Sequence, residues 1–412
     1  MFKFDIINKY NGDNMTKIPS RGMRDILPKS MELRNYLLDK IKFVYQSFGF
    51  NQIETPCIEH IENLTSGQGA DNEKLIFKIL KRGEKLEESM NSNDIVDSGL
   101  RYDLTLPLAR FYANNMNELP SPFRAFQYGH VWRAERPQKG RFRQIMQVDI
   151  DILGEKDVIA EIELLLATTS FFKELGLKDF KILINSRLIL KKAIQYSNMD
   201  LSIMDSILIS LDKLDKIGNE KVRQELLDLN IKEDSIDKYL TLYEIKDYEE
   251  FCRKIDLDID IKNNFNKIIE VLEKVQGVKL VFDPSLVRGM GYYTGVIFEI
   301  KTSMFDFSIA GGGRYDKMIE KFTNCEVNAV GISIGFERLA MSLEELNFEY
   351  KSSVEKLAII IDKDINQKSL EEVMLNAMTL RSEGKIVKVI YKNKNYRFQL
   401  DNLEKEGYKI YE

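Results

Sequence analysis

Apolar side chains at Leu33, Leu37, Ile41, Val44 and Tyr45 recur at three- and four-residue spacing, which predicts a helix capped by Ser30 and stopped by Phe48-Gly49. The segment NQIETPCI at 51–58 reads as a strand. Pro56 within it points to a sheet edge or an interface, because proline withholds a ladder donor. Between 123 and 154 the period shortens to two, in FRAFQYGHVWR and again in RFRQIMQVDIDIL, with the turn-prone AERPQKG between them. A long antiparallel hairpin follows. Residues 155–275 carry a helical pattern, including LDKLDKIGNEKVRQELLDL and IKNNFNKIIEVLEKVQ. Strands are predicted again at 279–283, 292–300 and 305–310, ahead of GGGRYDKMIEKF and NAVGISIGFERLAMSL. After Lys351 the text becomes LAIIID, a helix over SLEEVMLNAMTLRSEG, IVKVIY and a short helix over QLDNLEKEG. That order describes a separate β-α-β-α unit.

Length then sets the scale. A chain of 412 residues exceeds what one core usually covers, so two or three domains are expected. Its 60 basic and 65 acidic residues give a net charge of −5, so a nucleic-acid partner must be met by a local basic patch. The sequence holds no apolar run of membrane-spanning length, and MFKFDIINKYNGDNM lacks the apolar core of a signal peptide. A cytoplasmic protein is expected, with 1–16 as a flexible extension and Met15 as a second possible start. Cys57, Cys252 and Cys325 are far apart and form no CxxC pair, so they read as reduced thiols. Only His60 and His130 are available as histidines, which leaves little room for a histidine triad or a multi-histidine metal centre.

The chemistry concentrates in the hairpin. Arg133, Glu135, Arg136, Lys139, Arg141, Arg143, Gln147, Asp149 and Asp151 fall within one short stretch, and a two-residue period puts Arg141, Arg143, Ile145 and Gln147 on one face with Asp149 and Asp151. Arginine forks beside Gln and Asp suit a nucleotide together with an amino acid. In RYDLTLPLAR, read as a short strand, Asp103 and Thr105 share a face, where Asp103 suits an ammonium and Thr105 adds a second polar hydrogen bond. In LVRGMGYYTG, Arg288 stands in an apolar, glycine-broken stretch before Tyr292 and Tyr293 and calls for a phosphate or carboxylate partner. AGGGRYD and VGISIGFERL offer close backbone approach and, at Arg338, an arginine entering a helix. Neither is a GxxxxGK[ST] loop or a GxGxxG fingerprint.

These segments carry a resemblance. FRAFQYGHVWRAERPQKGRFRQIMQVDIDILG and VGISIGFERL resemble the second and third motifs of class II aminoacyl-tRNA synthetases, the former in its histidyl version. LVRGMGYYTG and AGGGRYD are similar to the two histidine-specific motifs of the histidyl-tRNA synthetase family, PSRGMRDILP to its N-terminal signature, and RYDLTLPLAR to its amino-acid-binding strand. The resemblance implies an α+β fold: a class II antiparallel sheet flanked by helices over 17–345, interrupted by a helical insert at about 190–275. A linker at 346–354 and a shortened anticodon-binding-like α/β domain at 355–412 would follow.

The implied activity is ATP-dependent adenylation of histidine and transfer to the 3′ end of tRNA(His), by a homodimer whose interface is built from the helix at Ser30 and the strand through Pro56. ATP would arrive with Mg2+ on its phosphates. Residue by residue, the resemblance gives Arg133 and Glu135 the α-phosphate and adenine end, Arg141 the β- and γ-phosphates, and Arg338 the γ-phosphate or adenine face. Arg288 falls to the transition state at the α-phosphate. Asp103, Thr105, Gln147 and Asp151 fall to the amino group and neighbouring polar atoms, and Tyr292 and Tyr293 to the imidazole.

Two departures stand out. Met290-Gly291 precede Tyr292 where the family pattern has an aspartate, and the C-terminal unit ends at Glu412, where family members usually continue. Lys392, Lys394 and Arg397, interleaved with Tyr391, Tyr396 and Phe398, form the best local RNA-facing patch. Two other readings share these residues. One is the synthetase-like, non-catalytic regulatory subunit of ATP phosphoribosyltransferase; the other is a synthetase-like protein acting on a different amino acid or on a carrier protein.

Overall fold

The computed structural model describes residues 16–65, 73–89, 94–137, 141–177, 179–288, 291–305, 307–323, 325–350 and 354–411. The expected extension over 1–16 lies outside these except for Thr16, as do Lys139, Met290, Glu412 and residues 351–353 of the expected linker.

Strands run in the order β1 (Asn51–Gln52), β2 (Ile58–His60), β3 (Phe77–Leu80), β4 (Val96–Leu100), β5 (Phe123–Trp132), β6 (Gln144–Leu153), β7 (Phe180–Ser186), β8 (Leu280–Phe282), β9 (Val296–Thr302), β10 (Ser308–Arg314), β11 (Ala329–Ile334), β12 (Lys356–Ile361), β13 (Ile386–Tyr391) and β14 (Lys409–Ile410). Eight of them form one sheet ordered β1-β5-β6-β11-β10-β9-β7-β8. Its middle is antiparallel from β5 to β7, and the outermost pairs, β1 with β5 and β7 with β8, are parallel. Helices flank this sheet, as the alternation of patterns implies.

The hairpin predicted from the two-residue period is β5–β6, in register from Phe123 opposite Leu153 to Trp132 opposite Gln144. The pleat sends Val148, Ile150 and Ile152 of β6 to one face. There they are fully or almost fully buried, and the apolar helix Ile159–Glu174 packs on β6 and β11. Gln147, Asp149 and Asp151 take the opposite face. Across the sheet, Arg314 of β10 makes two 2.7 Å bonds to the buried Glu161 carboxylate, so the arginine of AGGGRYD is structural.

Four sequence expectations are corrected. The first helix is Pro28–Ser47 and starts before Ser30, because proline suits the first helical turn, where its missing N–H costs nothing. Ser30 Oγ donates instead to Glu344 Oε1 at 2.6 Å. NQIETPCI is two short strands, with β1 at the edge of the large sheet, β2 at the edge of a small sheet ordered β2-β4-β3, and Pro56 in the break between them. RYDLTLPLAR is not a strand: Thr105 opens the Thr105–Asn115 helix, Asp103 Oδ1 accepts the Leu106 N–H at 3.2 Å, and Pro107 fits the first turn. The 155–275 region also contains β7, whose KILIN run is short enough to be read as buried helix when periodicity alone decides. Between β7 and β8 the described elements are all helical, from Arg187–Tyr196 to Ile259–Gln276.

Two compact units result. One takes Asp39–Leu343 with the chain up to Asp25, the other Ile26–Leu38 and Glu344 onward. In the second, β13-β12-β14 form a parallel sheet around a core of Leu357, Ile359, Ile361, Ala377, Leu380 and Val387, and Lys356 Nζ bonds Glu32 at 2.6 Å.

Candidate active site

Two adjoining cavities open on the polar face of the large sheet. The first, of about 290 Å³, is lined by Asp103, Thr105, Gln147, Asp149, Asp151, Tyr292, Tyr293 and Tyr315. The second, of about 420 Å³, is lined by Arg141, Arg338, Glu337, Glu299 and Ser308. Arg133, Glu135, Gln147, Arg288, Gly311 and Ser333 line both. Each site residue proposed from the sequence therefore stands on one cavity or the other.

The first cavity is acidic. Asp103, Asp149 and Asp151 are each 3% exposed, and Asp103 Oδ2, Asp149 Oδ1 and Asp151 Oδ2 have no hydrogen-bond partner. Burial pushes the Asp103 carboxyl up from its ordinary value, and Asp149 up to about 7. Burial, reinforced by the Asp149 charge, also lifts the Asp151 carboxyl well above its ordinary value. Tyr315 donates to Asp151 Oδ1 at 2.6 Å, and its own phenol is held far above the usual range by burial and then by Asp151. Gln147 Nε2 donates to Ser333 Oγ at 3.0 Å, while Gln147 Oε1 is buried without a partner. Buried oxygens of this kind cost free energy until a donor reaches them, so the cavity suits an ammonium and further N–H groups. Aromatic rings close one side: Tyr292 lies 4.7 Å from Tyr293 and edge-on, 6.0 Å, to Tyr315.

The second cavity is cationic. Arg141 pairs with Glu135, and Arg338 lies 5.3 Å over the Phe307 ring from the Phe336–Glu345 helix. Burial, then the nearby Arg141 charge, lowers the Arg338 guanidinium from its usual value. Arg133 Nε is anchored on the Tyr102 carbonyl at 3.0 Å. Glu337 is buried and holds Arg24 at 2.7 Å and the Met146 N–H at 3.2 Å. Arg143 does not join this face: its Nε donates to the Glu135 carbonyl and its Nη1 to the Arg21 carbonyl. Arg136 is exposed.

Arg288 stands between the cavities. Its backbone is left-handed, with φ of 60°, a conformation that non-glycine residues seldom adopt outside functional or tightly fixed sites. Its Nη1 donates to Glu299 Oε1 at 3.0 Å, and Ser308 Oγ donates to Glu299 Oε2 at 2.5 Å. Two glycines make room. A Cβ on Gly311 would lie 2.0 Å from Arg288 Nη1, and one on Gly331 would lie 1.9 Å from Asp151 Oδ1. Asp149, Tyr315, Ser333 and Glu299 went unassigned at the sequence level. The signal for Asp149 was its place on the period of Gln147 and Asp151, and for Glu299 it was a lone acid in the apolar strand VIFEI.

Residues 22–339 match the family model described as histidyl-tRNA synthetase. A probable histidine--tRNA ligase of Tropheryma whipplei is 40% identical, covering 96% of this chain and 95% of its own length. A histidine--tRNA ligase of Leifsonia xyli is 38% identical, with 95% and 94% covered. The crystal structure of histidyl-tRNA synthetase from Nostoc sp. PCC 7120 superimposes with a TM-score of 0.78 at 25% identity, over 96% of this chain and 90% of that one. A Bacillus halodurans structure titled as an ATP phosphoribosyltransferase regulatory subunit/histidyl-tRNA synthetase shares the fold, with a TM-score of 0.77 at 22% identity. Matched to one family model over most of its length, and to its relatives nearly end to end, the chain belongs to the histidyl-tRNA synthetase family.

Proposed function

We propose that this chain is a class II histidine--tRNA ligase, which adenylates histidine with ATP and transfers it to the 3′ end of tRNA(His). The observation that carries the reading is the pair of adjoining cavities, one carboxylate-lined and one arginine-lined, with Arg288 on both. Asp103, Thr105, Gln147 and Asp151 bind the amino group and neighbouring polar atoms of histidine, and Tyr292 and Tyr293 line its imidazole. Arg133 and Glu135 hold the α-phosphate and adenine end of ATP, Arg141 the β- and γ-phosphates, and Arg338 the γ-phosphate or adenine face. The histidine carboxylate, already ionised at neutral pH, attacks the α-phosphorus, and pyrophosphate leaves. Arg288 stabilises the charge gathered on the five-coordinate phosphorus, and Glu299 and Ser308 keep its guanidinium in place beforehand. A terminal ribose hydroxyl of the tRNA then attacks the acyl carbon, and AMP leaves. Mg2+ enters as part of the ATP substrate complex, carried on the phosphates.

A histidine-sensing regulatory subunit has no use for the arginines of the second cavity. Histidine-dependent ATP–pyrophosphate exchange on the purified protein, run beside the other amino acids and then with tRNA, separates the readings. Exchange with histidine followed by charging supports the ligase, whereas histidine binding without exchange supports the regulatory subunit.

The same reading includes a cytoplasmic homodimer. Exposed Phe43 and Ile58, at 69% and 51%, lie in the helix and strand assigned to its interface. A fully active monomer in sedimentation would refute that part. The catalytic domain over 17–345 with its insert at about 190–275, a linker at 346–354 and an anticodon-binding-like domain at 355–412 belong to the proposal as well. Tyr391, Tyr396 and Phe398 are exposed, at 51%, 37% and 59%, and Lys392 lies 4.9 Å over the Tyr396 ring, an arrangement that suits stacked RNA bases.

A further inference from the structure

The first cavity holds more acid than an amino acid's ammonium group requires. Asp103 takes the Leu106 N–H and adjoins Thr105, so it is already shaped for the ammonium. That leaves Asp149 and Asp151, one pleat apart on β6 and both buried. Asp151 has the Tyr315 hydroxyl on one oxygen, and Asp149 Oδ1 has no partner.

The sheet neighbours of Asp149 relieve it only in part: a hydrogen bond with the Ser333 side chain lowers its carboxyl, while Oδ1 stays without a partner. Opposite it on β5 is Gln127, whose amide nitrogen is committed to the Leu104 carbonyl at 2.8 Å. Opposite it on β11 is Ser333, which receives Gln147 Nε2 and offers at most one hydroxyl proton. The titratable and charged groups that face Asp149 are Arg101 and Asp103 ahead of the Thr105–Asn115 helix, Arg133 after β5, Asp151 on its own strand, Tyr315 after β10 and Tyr45 from the Pro28–Ser47 helix. Neither arginine reaches Asp149 with a hydrogen bond. Arg101 Nε donates to the His130 carbonyl and its Nη1 to the Thr55 and Pro56 carbonyls, and Arg133 Nε donates to Tyr102. Two buried carboxylates whose charges act on each other stay protonated unless a cation compensates them, and Arg101 and Arg133 do so only through space.

We propose that Asp149 is a specificity-determining residue that selects an amino acid bearing a second positive charge, so that histidine is held as its imidazolium. This rests on the histidine reading of the cavity. A ring of the same shape that is too weakly basic to protonate leaves the Asp149–Asp151 pair without its counter-charge, and the site rejects it electrostatically. The raised carboxyl of Asp149 agrees with this assignment, since a bound cation would bring it back down.

The probes are histidine and 1,2,4-triazolylalanine, a near-isostere with a weakly basic ring, used with the full-length protein and its Asp149→Asn variant. The variant should raise the histidine KM in pyrophosphate exchange about tenfold to a hundredfold, as expected for a lost charge-assisted bond, and leave the triazole KM within about twofold. In nitrogen-15 NMR of ring-labelled histidine bound to the wild type at about pH 8, both ring nitrogens should show the shifts of an imidazolium, whereas free histidine at that pH shows those of neutral imidazole. Equal weakening of both amino acids in a folded variant, or a neutral bound imidazole in the wild type, overturns the proposal. Should the variant fail to fold, the charge of the bound imidazole decides alone. A wild type that binds neither amino acid overturns the histidine reading and this proposal together, an outcome distinct from losing selectivity alone.

Discussion

Gly311→Ala is the sharpest probe of how the sheet positions Arg288. The added methyl would stand 2.0 Å from Arg288 Nη1, 2.8 Å from Cζ and 3.1 Å from the Phe298 carbonyl oxygen. Ordinary contact needs about 3.5 Å, so the guanidinium must retreat by roughly 1.5 Å, and the 3.0 Å bond to Glu299 is lost. The fold tolerates this, because the group displaced is the far end of a long side chain. An off-rotamer arginine costs about 0.5–1.5 kcal/mol and a half-screened ion pair up to about 1 kcal/mol. Alanine returns about 0.5–1 kcal/mol relative to glycine in a strand. A net cost of about 1 kcal/mol lowers Tm by only a few degrees. Catalysis should suffer far more, since losing one preorganised donor to the transition state costs about a hundredfold to a thousandfold in kcat. The assay is histidine-dependent pyrophosphate exchange alongside scanning calorimetry. Loss of kcat with a nearly unchanged histidine KM is expected, because the carboxylates proposed to bind histidine stand on other segments. A folded variant that exchanges within about threefold of wild type refutes the role given to Arg288, the need for glycine at 311, or both.

Three other outcomes follow from the same geometry. Gly291 has no heavy atom within 4 Å of a built Cβ, so Gly291→Asp should fold with stability within about 0.5 kcal/mol of wild type, and a large drop in Tm would contradict this. Glu161→Gln leaves the buried Arg314 with Asp316, at 3.5 Å, as its remaining carboxylate and should destabilise by about 1.5–3 kcal/mol in urea unfolding, and a loss below about 1 kcal/mol would contradict the assignment of the Glu161 pair as buried and coupled. The Asp149 carboxyl, pushed up to about 7 by burial, binds its proton more tightly folded than unfolded. Its contribution to stability is therefore full below about pH 4 and is lost as pH rises through about 7. The Tm of Asp149→Asn should gain steadily on wild type between about pH 5 and pH 8, and a constant difference across that range would refute the buried-carboxylate assignment.

What the sequence disclosed and what it concealed divide along physical lines. The apolar stripe from Leu33 to Tyr45 and the two-residue alternation of the hairpin are local periodicities, so each was legible and each appears where burial demands it. Asp103 and Thr105 were singled out for their chemistry although their backbone was misread. Their side chains reach the cavity from a helix start, where Asp103 also accepts the Leu106 N–H. β7 was missed because a short apolar run has the same composition in a buried strand as in a buried helix. Tyr315, Ser333 and Glu299 lie on three different segments, and only sheet order brings them beside β6.

That order also explains why glycines and carboxylates alternate across the floor of the site. Along one row of the sheet, Gln127 faces Asp149, Asp149 faces Ser333, Ser333 faces Gly311, and Gly311 faces Glu299. Along the next, Ala125 faces Asp151, Asp151 faces Gly331, and Gly331 faces Gly313. Each long polar side chain needed in a cavity has a small residue as a cross-strand neighbour, because side chains directly opposite stand only about 5 Å apart. A methyl at Gly331 would meet Asp151, and a methyl at Gly311 would meet Arg288 as it crosses above the strand. The glycines of AGGGRYD and VGISIG are therefore less flexible loops than absences of side chain in a rigid sheet, which leave room for the carboxylates of the first cavity and for Arg288 between the two. Rigidity matters because an arginine or carboxylate that must reorganise during the reaction forfeits much of its electrostatic effect. A phosphate loop presents backbone N–H groups, whereas the charges of the proposed site are side chains: carboxylates fixed on β6 and β9 and an arginine packed over Gly311 of β10.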